Sequence, residues 1–157
     1  MGIKNQKIEI REKHEIKLAF INQTGMNGWE KAFDKIVKWA NSKHLFKNSP
    51  ARVVRIFHNS IRVAGEDNVR MSIGVEVNEE IITDGEVELC TIKGGKHLVG
   101  YFEVDDENFS EAWEKMIAFM NEHDYKKGEG SPYEIYYNNY KEHPEKKYEV
   151  DICIPVE

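Results

Sequence analysis

The sequence predicts an α+β fold made of two copies of one unit, each with the order strand, helix, strand, strand. Two internal repeats and a closing hairpin in each copy support this prediction. Sliding the chain by 80 residues superposes two helical segments: Trp29, Phe33, Ile36, Val37 and Asn41 on Phe109, Trp113, Met116, Ile117 and Asn121. Sliding it by 79 superposes two pairs of strands: 71–77 on 150–156, and 55–57 on 134–136. Such a duplication predicts two antiparallel sheets, each with one long helix, related by a pseudo-twofold axis that leaves a ligand cleft between the halves.

The first copy is expected to cover about residues 7–79. Its elements are predicted in this order: strands 8–10 and 16–21, a turn at 24–28, a helix at 29–43, a break at Asn48-Ser49-Pro50, and a hairpin of strands 53–58 and 70–77. Thr24 or Asn27 is a candidate N-cap of the helix. The helix is expected to bury the apolar residues that recur at helical spacing: Trp29, Phe33, Ile36, Val37 and Ala40.

The second copy is expected to cover about residues 84–157, from Asp84-Gly85 onward. Its elements are predicted in this order: a strand at 86–92, a turn at Gly94-Gly95, a strand at 96–104, a helix from Phe109 to about Glu122, and a hairpin of strands 133–137 and 148–156. Asn108 or Ser110 is the candidate N-cap. The inward residues of the helix are predicted to be Phe109, Trp113, Met116, Ile117 and Met120.

Length and composition predict a single domain over residues 1–157, because a chain of 157 residues with 40% apolar residues can bury one shared core but not two. No apolar run approaches the roughly 20 residues that a membrane span needs. The first seven residues lack the apolar segment of a signal peptide, so a cytoplasmic location without a membrane partner is expected. The net charge of −6 argues against a nucleic-acid surface and mildly favours cationic partners.

No metal or cofactor site is predicted. The two cysteines, Cys90 and Cys153, lie in apolar strand-like runs and are expected to be small core residues. The histidines show no metal-ligand spacing: His14, His44, His58, His97, His123 and His143. Gly94-Gly95 is not followed by a helix start, so a nucleotide site is not expected.

Glu134 is the strongest candidate for a functional residue, because the second copy carries a carboxylate where the first carries Arg55. Strand alternation places Tyr136 on the same face as Glu134. A carboxylate with aromatic walls attracts cations, since a charge pair at ~4 Å gains about 4 kcal/mol at an effective dielectric near 20. Three alternatives remain open: Glu134 points to water at a sheet edge, Arg55 pairs with Glu134 and closes the site to cations, or Arg55 is solvated.

The aromatic residues divide into core and cleft candidates. Those on the helical stripes are expected to pack in the core: Trp29, Phe33, Phe109 and Trp113. Trp39 and its counterpart Phe119 lie about a quarter-turn off the stripes, where a helix could wall a cleft. Phe57, the counterpart of Tyr136, is a further candidate lining residue.

Four stretches of the chain occur in a characteristic order: Leu18-Ala19-Phe20-Ile21-Asn22-Gln23-Thr24-Gly25, Ile92-Lys93-Gly94-Gly95-Lys96-His97, Tyr133-Glu134-Ile135-Tyr136 and Ile152-Cys153-Ile154-Pro155-Val156. Together they resemble the GyrI-like small-molecule-binding domain, also called the AraC-type effector-binding domain, over nearly the whole chain. The resemblance implies a duplicated βαββ fold with a ligand cleft. It also implies that Glu134, the glutamate of the family's Tyr-Glu-x-Tyr strand, contacts cationic or amphipathic aromatic ligands.

The chain departs from the family pattern at three places. Asn22-Gln23 replaces the usual Arg-His, Met26-Asn27 replaces the usual Pro-Tyr, and Arg55 replaces a small residue. Met26 is still able to line a pliable pocket. These departures concern the identity of the ligand rather than the fold.

The favoured function is binding of hydrophobic, cationic aromatic molecules, for sensing or sequestration of a drug or toxin. In bacterial regulators of this kind the domain is attached to a helix-turn-helix module, for which this chain has no room, so direct binding of nucleic acid is not expected. One alternative, implied by resemblance, is a hydrolase of reactive cyclopropane-bearing toxins, with Glu134 and Tyr136 as catalytic residues. A second is a gyrase-inhibitor-like role with a protein partner. The chain is expected to be a monomer or a dimer.

Overall fold

A computed structural model of the chain describes residues 4–45, 52–77, 81, 83 and 85–157. The predicted break at Asn48-Ser49-Pro50 and the predicted start of the second copy at Asp84 lie outside the described residues. Among the helices of the described part, none is long and apolar enough to cross a membrane.

The elements follow the predicted order closely. They are β1 (Lys4–Lys13), β2 (Ile16–Thr24), α1 (Trp29–Ser42), β3 (Val53–Phe57), α2 (Ile61–Ala64), β4 (Arg70–Glu76), β5 (Glu88–Ile92), β6 (Gly95–Val104), α3 (Phe109–Glu122), β7 (Tyr133–Tyr136) and β8 (Tyr148–Pro155). Single turns of 3₁₀ helix lie at Met26–Gly28 and Tyr140–Glu142. The α+β class is confirmed, and the 3₁₀ turn at Met26–Gly28 lies within the predicted turn at 24–28. Among the described elements, the one-turn helix α2 and the 3₁₀ turn at Tyr140–Glu142 have no predicted counterpart, because so few residues show no periodicity.

The chain forms two compact units, one comprising the residues up to His14 with Gly94–Glu157 and the other Glu15–Lys93. Within the first, the antiparallel strand order is β1-β6-β8-β7; within the second it is β3-β4-β2-β5. These units differ from the sequence repeats, because β1 pairs with β6 and β5 pairs with β2. The pairings do not confirm the predicted division into two separate sheets, and the pseudo-twofold axis stays a prediction.

In the first unit, α3 packs on β6, and Gly100 allows this close approach. A Cβ atom at Gly100 would lie 2.3 Å from the sulfur of Met116. The helix buries Ala112 and Met116 completely, whereas Ile117 is 39% exposed, so the prediction of an inward Ile117 is wrong. Residues 112 and 116 share one helix face, and residues 113 and 117 lie about 100° further round, at the edge of the contact.

In the second unit, α1 packs on β4 and β2. It buries a stripe close to the predicted one: Trp29, Ala32, Phe33, Ile36 and Ala40. Val37, which was predicted inward, is half-buried.

The predicted N-cap is wrong for α1 and is confirmed in position for α3, and in neither helix does the side chain of the N-cap residue make a capping hydrogen bond. Thr24 ends β2, and the N-cap of α1 is Gly28, which has no side chain to donate or accept. The amide of Gln23 instead holds the preceding turn, donating to the carbonyl oxygens of Thr24 and Gly25 at 2.7 and 3.1 Å. Asn108 does occupy the N-cap of α3, but its Oδ1 accepts from the backbone N–H of Asp105.

Candidate functional site

The site is built on β7, a short strand paired with β8. Its register places Glu134 opposite Ile152 and Tyr136 opposite Val150, so the two side chains share one face of the strand. Trp113, on α3, reaches the same face and contacts the carboxylate. Glu134 and Tyr136 therefore lie together, as the sequence predicted.

Glu134 has no solvent exposure, which excludes the alternative of an edge-strand glutamate that points to water. Trp113 Nε1 donates to its Oε2 at 2.7 Å, and the Tyr136 hydroxyl donates to its Oε1 at 2.6 Å. An ionised carboxylate is an acceptor at both oxygens, so each oxygen has a matching donor. These two bonds offset part of the cost of burying the charged group.

The two rings bonded to this carboxylate belong to a larger aromatic cluster, whose members are Phe109, Trp113, Tyr136, Tyr140 and Tyr148. The ring centroid of Tyr148 lies 5.5 Å from that of Tyr136, 6.0 Å from Phe109 and 4.6 Å from Tyr140. Phe109 lies 6.3 Å from Tyr136. Ring faces carry partial negative charge, so the carboxylate and the aromatic cluster both favour a positive charge in their midst.

Arg55 belongs to the other compact unit and is buried, with 2% exposure, so the alternative of a solvated arginine is wrong. Its guanidinium carbon lies 4.1 Å from the ring centroid of Trp29 and 4.8 Å from that of Phe57. Phe57 is thus a direct contact of Arg55, and both stacking contacts are cation–π interactions. Pairing of Arg55 with Glu134 stays a prediction.

The other predicted lining residues lie on separate elements. Phe119 stacks on His123, with centroids 4.0 Å apart. Trp39 is half-buried on α1, and Met26 is half-buried in the 3₁₀ turn before it. A lining role for Phe57, Trp39, Phe119 and Met26 stays a prediction.

Sequence reasoning did not select four members of the aromatic cluster as site residues: Phe109, Trp113, Tyr140 and Tyr148. Phe109 and Trp113 were assigned to the core, yet both are half-buried, and Trp113 bonds directly to Glu134. A signal for Trp113 existed, because a tryptophan near a core must find an acceptor for its indole N–H. Tyr148 carried no such signal, since its ring contacts join segments far apart in the chain.

The cysteines are not part of this site. Cys153 is fully buried, and burial raises the pKa of its thiol to about 12, so it is a core residue rather than a nucleophile. Cys90 is half-buried on β5, where burial also raises the thiol pKa.

The model of the GyrI-like small molecule binding domain matches residues 6–157 of the chain. One relative, the SPbeta prophage-derived protein YosT of Bacillus subtilis strain 168, is named provisionally as a transcriptional regulator. It is 26% identical over 115 residues, which are 71% of this chain and 76% of YosT.

Solved structures with low sequence identity share the fold. The crystal structure of the EcmrR C-terminal domain has a TM-score of 0.77 at 15% identity, covering 97% of this chain and 98% of that domain. In the EcmrR–DNA complex, with a TM-score of 0.78 at 14% identity, 97% of this chain spans 57% of the EcmrR chain.

Two further structures carry names that describe chemistry. A hydrolase encoded by lin2189 from Listeria innocua has a TM-score of 0.70 at 12% identity, covering 96% of this chain and 92% of that one. SAV2435 bound to tetraphenylphosphonium has a TM-score of 0.55 at 12% identity, covering 96% of this chain and 94% of that one.

The family model covers almost every residue, including the strand that carries Glu134 and the helix that carries Trp113. The chain therefore belongs to the GyrI-like small-molecule-binding domain family.

Proposed function

We propose that the chain binds hydrophobic, cationic aromatic molecules through Glu134 and the aromatic cluster, as a domain that senses or sequesters a drug or toxin. The observation that carries the proposal is a fully buried carboxylate whose two oxygens are held by Trp113 and Tyr136. Family membership supports small-molecule binding in general. SAV2435, a protein of the same fold, has been solved with the aromatic cation tetraphenylphosphonium.

Electrostatics favours a cation over neutral or anionic ligands of the same shape. A buried carboxylate that loses water gains from an opposite charge about 4 kcal/mol at ~4 Å and an effective dielectric near 20. The surrounding ring faces add roughly 0.5–2 kcal/mol by cation–π attraction. A diffuse organic cation costs less to dehydrate than a small ion, so it retains more of this gain.

A ligand must displace a neighbour to reach Glu134, because the carboxylate has no exposed surface. Trp113 is half-buried and bonded to Glu134, and Phe109 is half-buried and packed near Tyr136. Both lie in the first half of α3. We expect Trp113 to move aside, with the charge of the ligand taking the place of its N–H donor.

The test is calorimetric titration of tetraphenylphosphonium into the wild-type chain and Glu134→Gln. Glutamine is a mild substitution here, since its carbonyl still accepts from Trp113 and its amide donates to the Tyr136 hydroxyl, which can also accept. We expect the affinity for tetraphenylphosphonium to fall by about tenfold or more in Glu134→Gln, because the variant lacks the charge pair, which solvent screens in part. Glu114→Gln, on the exposed side of α3, is the matched control and should bind as the wild type does.

A neutral aromatic probe, triphenylphosphine oxide, separates charge from shape. It should bind more weakly than the cation to the wild type and equally to both proteins. Equal tetraphenylphosphonium affinity in Glu134→Gln, or no binding to either protein, would show the proposal to be wrong and would favour a role with a protein partner.

Hydrolysis of a reactive cyclopropane-bearing molecule is a second candidate. The 2.6 Å bond between the Tyr136 hydroxyl and Glu134 places an acid and a base side by side, and the fold is shared with a protein named as a hydrolase. If the chain is an enzyme, Glu134→Gln should abolish turnover of such a substrate while part of its binding remains. A binding protein shows no turnover in either form.

A further inference from the structure

Three side chains from separate segments of the first unit meet on one side of the sheet strands: Glu103, His143 and Glu149. Each is half-buried, and one ligand atom from each lies within 4.8 Å of the other two. We propose that this Glu-His-Glu cluster binds a divalent transition metal ion, of which Zn²⁺ is the probe. The site does not depend on the cationic ligand proposed above.

Strand pairing places the two carboxylates directly opposite each other. Glu103 on β6 is the register partner of Glu149 on β8. Like charges in this position destabilise a sheet, and a cation between them removes the repulsion.

The imidazole is held in place by a structured loop. The backbone N–H of His143 donates to the Tyr140 carbonyl at 3.1 Å, and the His143 carbonyl accepts from Lys146 at 3.0 Å. Asn138 ties the loop to β8, because its Oδ1 accepts from the N–H of Glu149 and its Nδ2 donates to the carbonyl of Lys147. The ligand set is thus largely arranged before a metal arrives.

The imidazole of His143 must exchange a hydrogen bond when a metal binds. His143 Nδ1 accepts the backbone N–H of Glu145 at 3.0 Å, which puts the ring proton on Nε2. A metal bound at Nδ1 takes the place of the Glu145 N–H. A metal bound at Nε2 leaves the ring proton on Nδ1, which then no longer accepts a hydrogen bond. Glu145 is exposed, so water can accept its N–H in place of the imidazole.

The donor set selects the class of metal. One imidazole with two carboxylates suits zinc and similar ions, whereas calcium and magnesium prefer oxygen ligands alone. Zinc bonds to nitrogen and oxygen are about 2.0–2.2 Å long, so half-buried side chains must close in slightly. Three protein ligands leave at least one position for water.

The test measures Zn²⁺ uptake by the full chain, using equilibrium dialysis and calorimetry. We expect one equivalent to bind to the wild type, with affinity reduced by about tenfold or more in both His143→Gln and Glu149→Gln. His123→Gln, which removes an exposed histidine of α3's C-terminal cap, is the matched control and should bind as the wild type does. With Co²⁺, the visible ligand-field absorption should appear in the wild type and disappear in His143→Gln.

Two results would overturn the proposal: no uptake of Zn²⁺ in excess by the wild type, or uptake of unchanged affinity in His143→Gln. Far-ultraviolet circular dichroism of each variant guards against misfolding as the cause of a loss. If Glu149→Gln misfolds, Glu103→Gln gives the independent test of the carboxylate contribution.

Discussion

A polar network on the second unit joins three residues that are far apart in the sequence. His58 Nε2 lies 2.6 Å from Ser72 Oγ, and Ser72 Oγ donates to Asn22 Oδ1 at 2.9 Å. Because the serine proton is directed at Asn22, the neutral imidazole donates from Nε2. Ser72 is only 2% exposed, so the network stabilises the strands and is not placed to attack a substrate.

His58 is predicted to make stability depend on pH. Partial burial of the imidazole, in a residue that keeps an exposed edge, lowers its pKa below the ordinary value of 6.5, and nearby Arg70 lowers it further. The unfolded chain therefore takes up this proton before the folded chain does, and stability is lost as the pH falls from 6.5 through the folded-state pKa. Urea unfolding between about pH 5 and pH 7 should show a shallower pH dependence in His58→Gln than in the wild type.

Two strand glycines differ in what a side chain would meet. A Cβ atom at Gly74 in β4 would lie 2.4 Å from the backbone oxygen of Ala19 on the paired strand. At Gly100 in β6 the nearest atoms are the sulfur of Met116 at 2.3 Å, near the end of a flexible side chain, and a ring carbon of Phe102 at 2.7 Å. The first obstacle is part of a strand ladder and cannot turn away, whereas Met116 can change rotamer.

Replacing Gly74 by alanine should therefore cost more folding stability than replacing Gly100 by alanine. We expect Gly100→Ala to lower the free energy of unfolding by about 1 kcal/mol and Gly74→Ala by about 3 kcal/mol, the two ends of the range for overpacked cores. Urea denaturation of both variants measures the difference. A larger loss for Gly100→Ala would mean that the packing of α3 on β6 is more rigid than the strand pairing of β4.

At the scale of the whole molecule, a ligand that binds only the folded chain raises its melting temperature. At a concentration about 100 times its Kd, tetraphenylphosphonium should stabilise the fold by about 2.7 kcal/mol, equivalent to roughly 5–10 °C for a chain of this size. At the same ligand concentration, Glu134→Gln should show a much smaller shift, and Glu114→Gln the full one. A full shift in Glu134→Gln, measured by calorimetric scanning, would place the binding site elsewhere.

The sequence determined by itself the order of the elements, the α+β class and the candidate pair Glu134 and Tyr136. These follow from local signals: hydrophobic periodicity defines a helix or strand from its own residues, and strand alternation sets which side chains share a face. The repeat added the asymmetry between Glu134 and Arg55. Each of these features lies within one segment or in the comparison of two segments.

The tertiary structure decided the rest, because it depends on contacts between segments distant in the chain. Packing on Gly100 set the rotation of α3, which turned Ile117 outward and left Trp113 half-buried and bonded to Glu134. Strand β1 pairs with β6 and β5 pairs with β2, so the strand pairing crosses the boundaries of the sequence repeats. It also brought Glu103 opposite Glu149, beside a loop histidine that no spacing in the sequence relates to either. Periodicity fixes the face of an element, but only side-chain packing and backbone pairing select its partner.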